Sequence, residues 1–284
     1  MSYLMHIGFD NSSRLCRNVY YFEYKGIRYK LIQNNTKKWA DALITIVTDD
    51  KREKERAYTT ASEFLSALSW ENNSRVKVWH MGGPSVPDNY QLRKAKNRCF
   101  NFHRTPFSGY IMGYDICLIP KIETTEQKNA LILFRDALSS NHDYLSFLLF
   151  WQILEVGGNK PIGWIDKAYR KHKNKIRLTK DYYEKLPLRG KTLGQYLSDD
   201  CRNAIAHIRR KPGKIELKLD TPEDNQRIAI GTHIVKEYAR FYIHDKLNLN
   251  KNLYLTRKNS KGFPVYVDEK FTKKHYCTSA YKRL

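Results

Sequence analysis

The chain has 284 residues, 51 Lys and Arg against 29 Asp and Glu, and a formal net charge of +22. An aromatic fraction of 13% and an apolar fraction of 41% exclude a generally disordered chain and allow a folded core. No apolar run reaches the length of a bilayer span; the most hydrophobic stretch, Tyr144 to Val156, reads as a buried helix. The N-terminus lacks the charged start, apolar middle and small-residue cleavage site of a signal peptide.

Like charge at this density opposes compaction, so an acidic partner is expected, with nucleic acid first. The charge is concentrated: Lys167–Lys191 and Lys251–Leu284 are both strongly basic. Neither run has an apolar helical face, which argues against an anionic membrane surface. The alternative is a solvated, lysine-rich surface. Five cysteines (Cys16, Cys99, Cys117, Cys201, Cys277) lie far apart without a CxxC pair. That spacing predicts neither a zinc site nor a disulfide framework, and a reducing cytoplasm as the location.

Residues 1–120 read as a strand-rich mixed domain, a candidate for sensing or substrate recognition. "NVYYFEYKGIRYKLIQN" predicts a hairpin turning at Lys25-Gly26. Ala42–Thr48 predicts a strand, and "TTASEFLSALSW" a helix starting near Thr59 or Thr60. "SRVKVWHMGG" and "GYIMGYDICLIP" predict further strands. Residues 121–250 change texture and predict an all-α unit. "TTEQKNALILFRDALSS" is a helix capped by Thr124 or Thr125, and "DYLSFLLFWQILEVGG" a second, closed by Gly157-Gly158. "PIGWIDKAYRKHK" predicts a short helix inside a basic insert. "KTLGQYLSDDCRNAIAHIRR" is the third major helix, and the fourth opens at Thr221-Pro222. Residues 251–284 read as a basic C-terminal tail. The expected class is therefore α+β, with a C-terminal bundle of four or five helices.

The candidate chemistry lies in the third helix. Arg-x4–6-His pairs recur at Arg75/His80, Arg98/His103, Arg135/His142, Arg202/His207 and Arg227/His233. Only Arg202 is followed by asparagine, Asn203, in a helical setting. At 100° per residue, Leu193, Leu197, Cys201, Ala204 and Ile208 form a buried stripe. Asp200, Asn203 and His207 form a polar stripe beside it, and Arg202 points about 140° from His207. That angle favours a site completed by a second subunit. These groups suit phosphodiester cleavage in RNA. A histidine can move the 2′-hydroxyl or leaving-group proton, an arginine can bind phosphate oxygens bidentately, and no metal is required. The structural alternative is a helix-end histidine favoured by the macrodipole.

RNAIAH (Arg202–His207) late in such a bundle resembles the HEPN superfamily, whose signature is Arg, usually Asn, then His. The resemblance covers about residues 124–249. The order of a strand-containing N-terminal part and a helical C-terminal part is loosely similar to the Apea-like anti-phage and MauJ-like groups. It implies a HEPN-like bundle and a metal-independent, dimeric endoribonuclease of defence or toxin type, without cofactor. Arg202 would bind the scissile phosphate, Asn203 position it and His207 serve as acid or base. Asp200, Arg209, Arg210 and Lys211 would contact RNA, with Asp200 also able to orient a partner group. A regulatory partner or trigger is expected, and no membrane. Where AMPylation-silenced relatives carry Tyr two residues after the His, this chain has Arg209, which puts that regulation in doubt. A non-catalytic RNA-binding or assembly protein, using the bundle to dimerise, is the alternative.

Overall fold

A computed structural model describes residues 2–13, 15, 19–33, 41–83, 85–86, 116–172, 182–206, 221–257 and 264–268. The chain forms two units: 1–121 with 251–284, and 122–250. It is mixed α+β, strand-rich at the N-terminus and helical in the C-terminal part.

The first unit is built on one sheet. Its strands are β1 (Ser2–Asn11), β2 (Val19–Tyr24), β3 (Ile27–Ile32), β4 (Asp41–Thr48), β5 (Val76–Gly82), β6 (Ser85–Val86), β7 (Leu118–Pro120), β8 (Asn252–Arg257) and β9 (Pro264–Val267). The order is β5-β1-β4-β3-β2-β9-β8-β7, with β6 pairing β1. The predicted hairpin joins β2 to β3 in register Tyr24↔Ile27. Its two turn residues, Lys25 and Gly26, have φ of 49° and 76°. Both are left-handed, as a type I′ turn needs, and the glycine takes the second position without cost. Alternation in β2 buries Tyr20, Phe22 and Tyr24 and leaves Val19 and Tyr21 outside.

The buried face packs on α1 (Lys51–Glu71). Phe22 and Phe64 rings lie 4.6 Å apart, and Tyr266 of β9 meets Phe22 edge-on at 5.7 Å. Tyr24 donates to Glu63 Oε1 at 2.8 Å, which satisfies a phenol inside the core.

Two sequence readings change here. The helix starts at Lys51, not near Thr59, because Asp50 caps it: its Oδ1 accepts from the Arg52 and Glu53 amides at 2.9 and 3.2 Å. Thr60 sits mid-helix and donates back to the Arg56 carbonyl at 2.8 Å. The stretch after 250 is not simply a tail, since β8 and β9 extend the sheet, β9 running parallel to β2 at Glu23↔Val265.

The second unit is helical. It contains α2 (Thr125–Ser139), α3 (Asp143–Glu155), α4 (Pro161–His172), α5 (Leu193–Tyr196), α6 (Asn203–Ala206) and α7 (Pro222–Phe241). A π-helical stretch, Leu197–Arg202, joins α5 to α6. Thr124 and Gln127 form a capping box at α2, with side-chain-to-amide distances of 3.2 Å both ways. Gly157 and Gly158, φ 76° and 73°, end α3 in a conformation that L side chains resist. Phe134 and Phe150 meet at 5.5 Å across α2 and α3. On α7, a Cβ at Gly231 would lie 3.3 Å from Phe147 and 3.5 Å from Cys201 Sγ, so α7 approaches α3 and the π stretch closely. Among the described residues, no helix is long and apolar enough to cross a membrane.

Candidate functional site

The helix that carries Arg202 and Asn203 is anchored at its start. Thr192 and Gln195 form a capping box, with Gln195 N–H to Thr192 Oγ1 at 3.2 Å and Thr192 N–H to Gln195 Oε1 at 3.0 Å. Asp166, from α4, accepts the Thr192 hydroxyl and the Gly194 amide, each at 2.8 Å. A carboxylate beside exposed helical amides is favoured by both hydrogen bonding and the helix dipole. Gly194 is required by contact, because a Cβ there would lie 2.5 Å from the Ile162 carbonyl oxygen and 2.9 Å from its Cα.

The apolar stripe buries as read from sequence: Leu193, Leu197, Cys201 and Ala204 are at most 4% exposed. Burial pushes the Cys201 thiol up to about 12, and the nearby Arg227 guanidinium only partly opposes this. The same desolvation raises the Tyr196 phenol.

The polar stripe is different. A π-turn closes i→i+5 hydrogen bonds, as the Asn203 amide does to the Ser198 carbonyl. One extra residue per turn rotates everything after it by about 100° against a straight α-helix. Asp200, expected in line with Asn203 and His207 along one edge of the buried face, is 2% exposed. Its Oδ1 accepts from Lys191 Nζ at 2.7 Å. Asp200 is thus a buried ion-pair partner of Lys191.

Arg202 and Asn203 come together. Arg202 Nη1 donates to Asn203 Oδ1 at 3.0 Å, leaving the asparagine NH2 to other partners. The Arg202 side chain is 36% exposed, and its Nη2 stands 4.0 Å from Glu155 Oε1. Glu155 is held at the end of α3 by the Trp151 indole N–H at 2.9 Å. The site therefore has a half-exposed guanidinium, an amide and a carboxylate on one patch. The guanidinium keeps donors for a phosphate, which would displace the long contact to Glu155. His207, Arg209, Arg210 and Lys211 lie outside the described residues, as does Ile208.

Sequence reasoning missed Glu155, Lys191 and Arg227. Glu155 ends an apolar helix and Lys191 sits in a run of lysines, so neither carries a periodic signal. Arg227 had one trace, an acid three residues earlier, and Arg227 Nη2 does meet Asp224 Oδ1 at 2.8 Å. Among the described residues, no group of three or more His, Cys, Asp or Glu is arranged to hold a metal ion.

These features define a two-unit α+β protein with an Arg-Asn pair presented just after a π-turn in its helical unit. Within that unit, residues 130–244 match the family model of the methylamine utilization protein MauJ. The match runs from within α2 to just past the end of α7 and includes Arg202, Asn203 and His207. No curated protein and no solved structure matches the chain.

Proposed function

We propose that the chain is a metal-independent endoribonuclease of the HEPN type, acting in microbial defence or as a toxin. The observation that carries this reading is the Arg202–Asn203 hydrogen bond at 3.0 Å on a half-exposed patch, inside the segment that matches MauJ, a HEPN-related family. The net charge of +22 supports a polyanionic substrate.

In this reading the RNA 2′-oxygen attacks the adjacent phosphorus while His207 removes its proton. A P–O bond forms, the bond to the 5′-oxygen breaks, and the departing oxygen is protonated by an acid, His207 of either subunit. Arg202 binds the non-bridging oxygens and stabilises the charge that grows on them. The Asn203 amide NH2 orients the phosphate. Two copies of the motif meet in one dimeric site. The cytoplasm is the compartment in which such an enzyme meets its RNA.

The test compares purified wild type with Arg202→Ala, Asn203→Ala and His207→Ala on single-stranded RNA in EDTA. Cleavage leaving a 2′,3′-cyclic phosphate and a 5′-hydroxyl is expected, with a loss of at least about 100-fold in Arg202→Ala and His207→Ala. Mixing those two variants restores part of the activity if one site draws on both subunits. A wild type that cuts no RNA, or variants that cut as well as it does, overturns the reading. EDTA-sensitive cleavage overturns the metal-free mechanism.

A further inference from the structure

Behind the Arg202–Asn203 pair lies a buried charged group that the chemistry above does not use. Arg227, on α7, has a side chain only 9% exposed. Its Nη1 donates at 3.0 Å to the main-chain carbonyl of Asp200, inside the π stretch. Its Nη2 meets Asp224 Oδ1 at 2.8 Å, which neutralises it from its own helix. Arg227 Nε and Asp200 Oδ2 are buried without a hydrogen-bond partner. A guanidinium with an orphaned N–H is a poor way to stabilise a core, since an apolar side chain of equal volume does that better. Its directed bond has to serve something else.

That something is the register of the motif helix. Where i→i+5 bonding returns to i→i+4, a carbonyl loses its regular helical N–H, and a side chain that inserts a donor there holds the turn open. Relaxation to a plain α-helix would remove the extra residue from the turn and rotate Arg202 and Asn203 by about 100° relative to α5. The anchor of α5 on Asp166 would not move with them.

We propose that Arg227 is a positioning residue. By donating to the Asp200 carbonyl it holds the π-turn, and so fixes the direction in which Arg202 and Asn203 face a phosphate. The catalytic consequence rests on the ribonuclease reading; the clamp on the turn does not. Arg227→Met keeps the bulk and removes the donors, and Arg227→Lys keeps one donor.

Hydrogen exchange of the full chain is followed in peptides covering 193–206, with α2 as the internal reference, alongside kcat and KM for RNA cleavage. In Arg227→Met, amides of 198–204 should exchange at least about tenfold faster, with α2 unchanged. kcat should fall at least about tenfold, with KM within threefold, because charge stabilisation is lost while the basic surface remains. Arg227→Lys should recover much of the protection and of kcat. Unchanged exchange at 198–204, or an equal rise in α2, overturns the clamp. A loosened turn with wild-type kcat overturns the positioning role. A wild type that cuts no RNA sinks the ribonuclease reading, and the exchange result still decides the clamp.

Discussion

Replacing Lys191 by methionine strands a carboxylate inside the helical unit. Lys191 Nζ lies 2.7 Å from Asp200 Oδ1, and the Asp200 side chain is 3% exposed against 34% for the lysine. At an effective dielectric constant of about 20, that separation corresponds to a gross attraction of ~6 kcal/mol. Desolvation of the carboxylate takes back much of it, so the net worth of the pair is small. Removing the lysine alone is another matter. The desolvation remains, Oδ2 already lacks a hydrogen-bond partner, and the Arg227 bond goes to the main-chain carbonyl rather than the carboxylate. Breaking a buried pair costs ~3–5 kcal/mol, and the one-third exposure of Lys191 lowers the expected loss to ~2–4 kcal/mol. Adding Asp200→Asn removes the stranded charge and should recover more than half of it. Urea titration of the full chain, read by hydrogen exchange in 222–241, reports the unit concerned. With a slope of ~2 kcal/mol per M, the midpoint should fall by ~1–2 M in Lys191→Met. A shift equivalent to under ~0.5 kcal/mol, or no recovery in the double variant, refutes the reasoning.

Glycine substitutions separate contact from conformation. Gly194→Ala drives a Cβ to 2.5 Å from the Ile162 backbone, which cannot step aside as a side chain tip would. The expected loss is ~2–3 kcal/mol, or roughly 5–10 °C in Tm by calorimetry. Gly163→Ala, with nothing within 4 Å, should be neutral or up to ~1 kcal/mol stabilising. Equal effects at the two sites would refute the close approach of α4 and α5. The Cys201 thiol, buried and pushed up to about 12, should carry about one thiolate in 10⁴ at pH 8. Iodoacetamide should leave it unmodified in the native protein and label it after denaturation; native labelling at the rate of a free thiol would place it at the surface.

Local chemistry was legible where it was strong. The Lys25-Gly26 hairpin, the Thr124 cap and the double-glycine stop after α3 are read from a few residues each, because turns and caps depend on backbone sterics and nearby donors. The start of α1 was hidden because "KREKERAY" is a polar first half with little apolar periodicity. "NLYLTR" and "PVYV" were hidden by their lysine-rich surroundings, and short strands declare themselves only when a partner edge is known. In the candidate site, the adjacent Arg202 and Asn203 were visible, but their hydrogen bond was not. The π-turn across Leu197–Arg202 was not visible, because the stripe residues Leu193, Leu197, Cys201 and Ala204 are buried with it present and hydrophobic periodicity gave no warning of it. Arg227, Lys191 and Glu155 enter through tertiary contacts that no spacing encodes.

The helical unit interrupts the sheet between β7 and β8, and the chain leaves and returns at neighbouring residues: the Lys121 amide donates to the Lys251 carbonyl at 2.8 Å. Among the described strands, β7, made before the excursion, reaches the rest of the sheet through β8 and β9, made after it. On a ribosome, β2 therefore waits with an open edge while the whole helical unit is synthesised and has time to fold. That edge carries Tyr21 and Val19, which are exposed even in the finished protein, and an unpaired strand of this kind invites pairing with another chain. Synthesis order thus makes the last two strands a closing seam: a chain cut short after residue 250 would carry the motif helix yet leave its sheet unsealed.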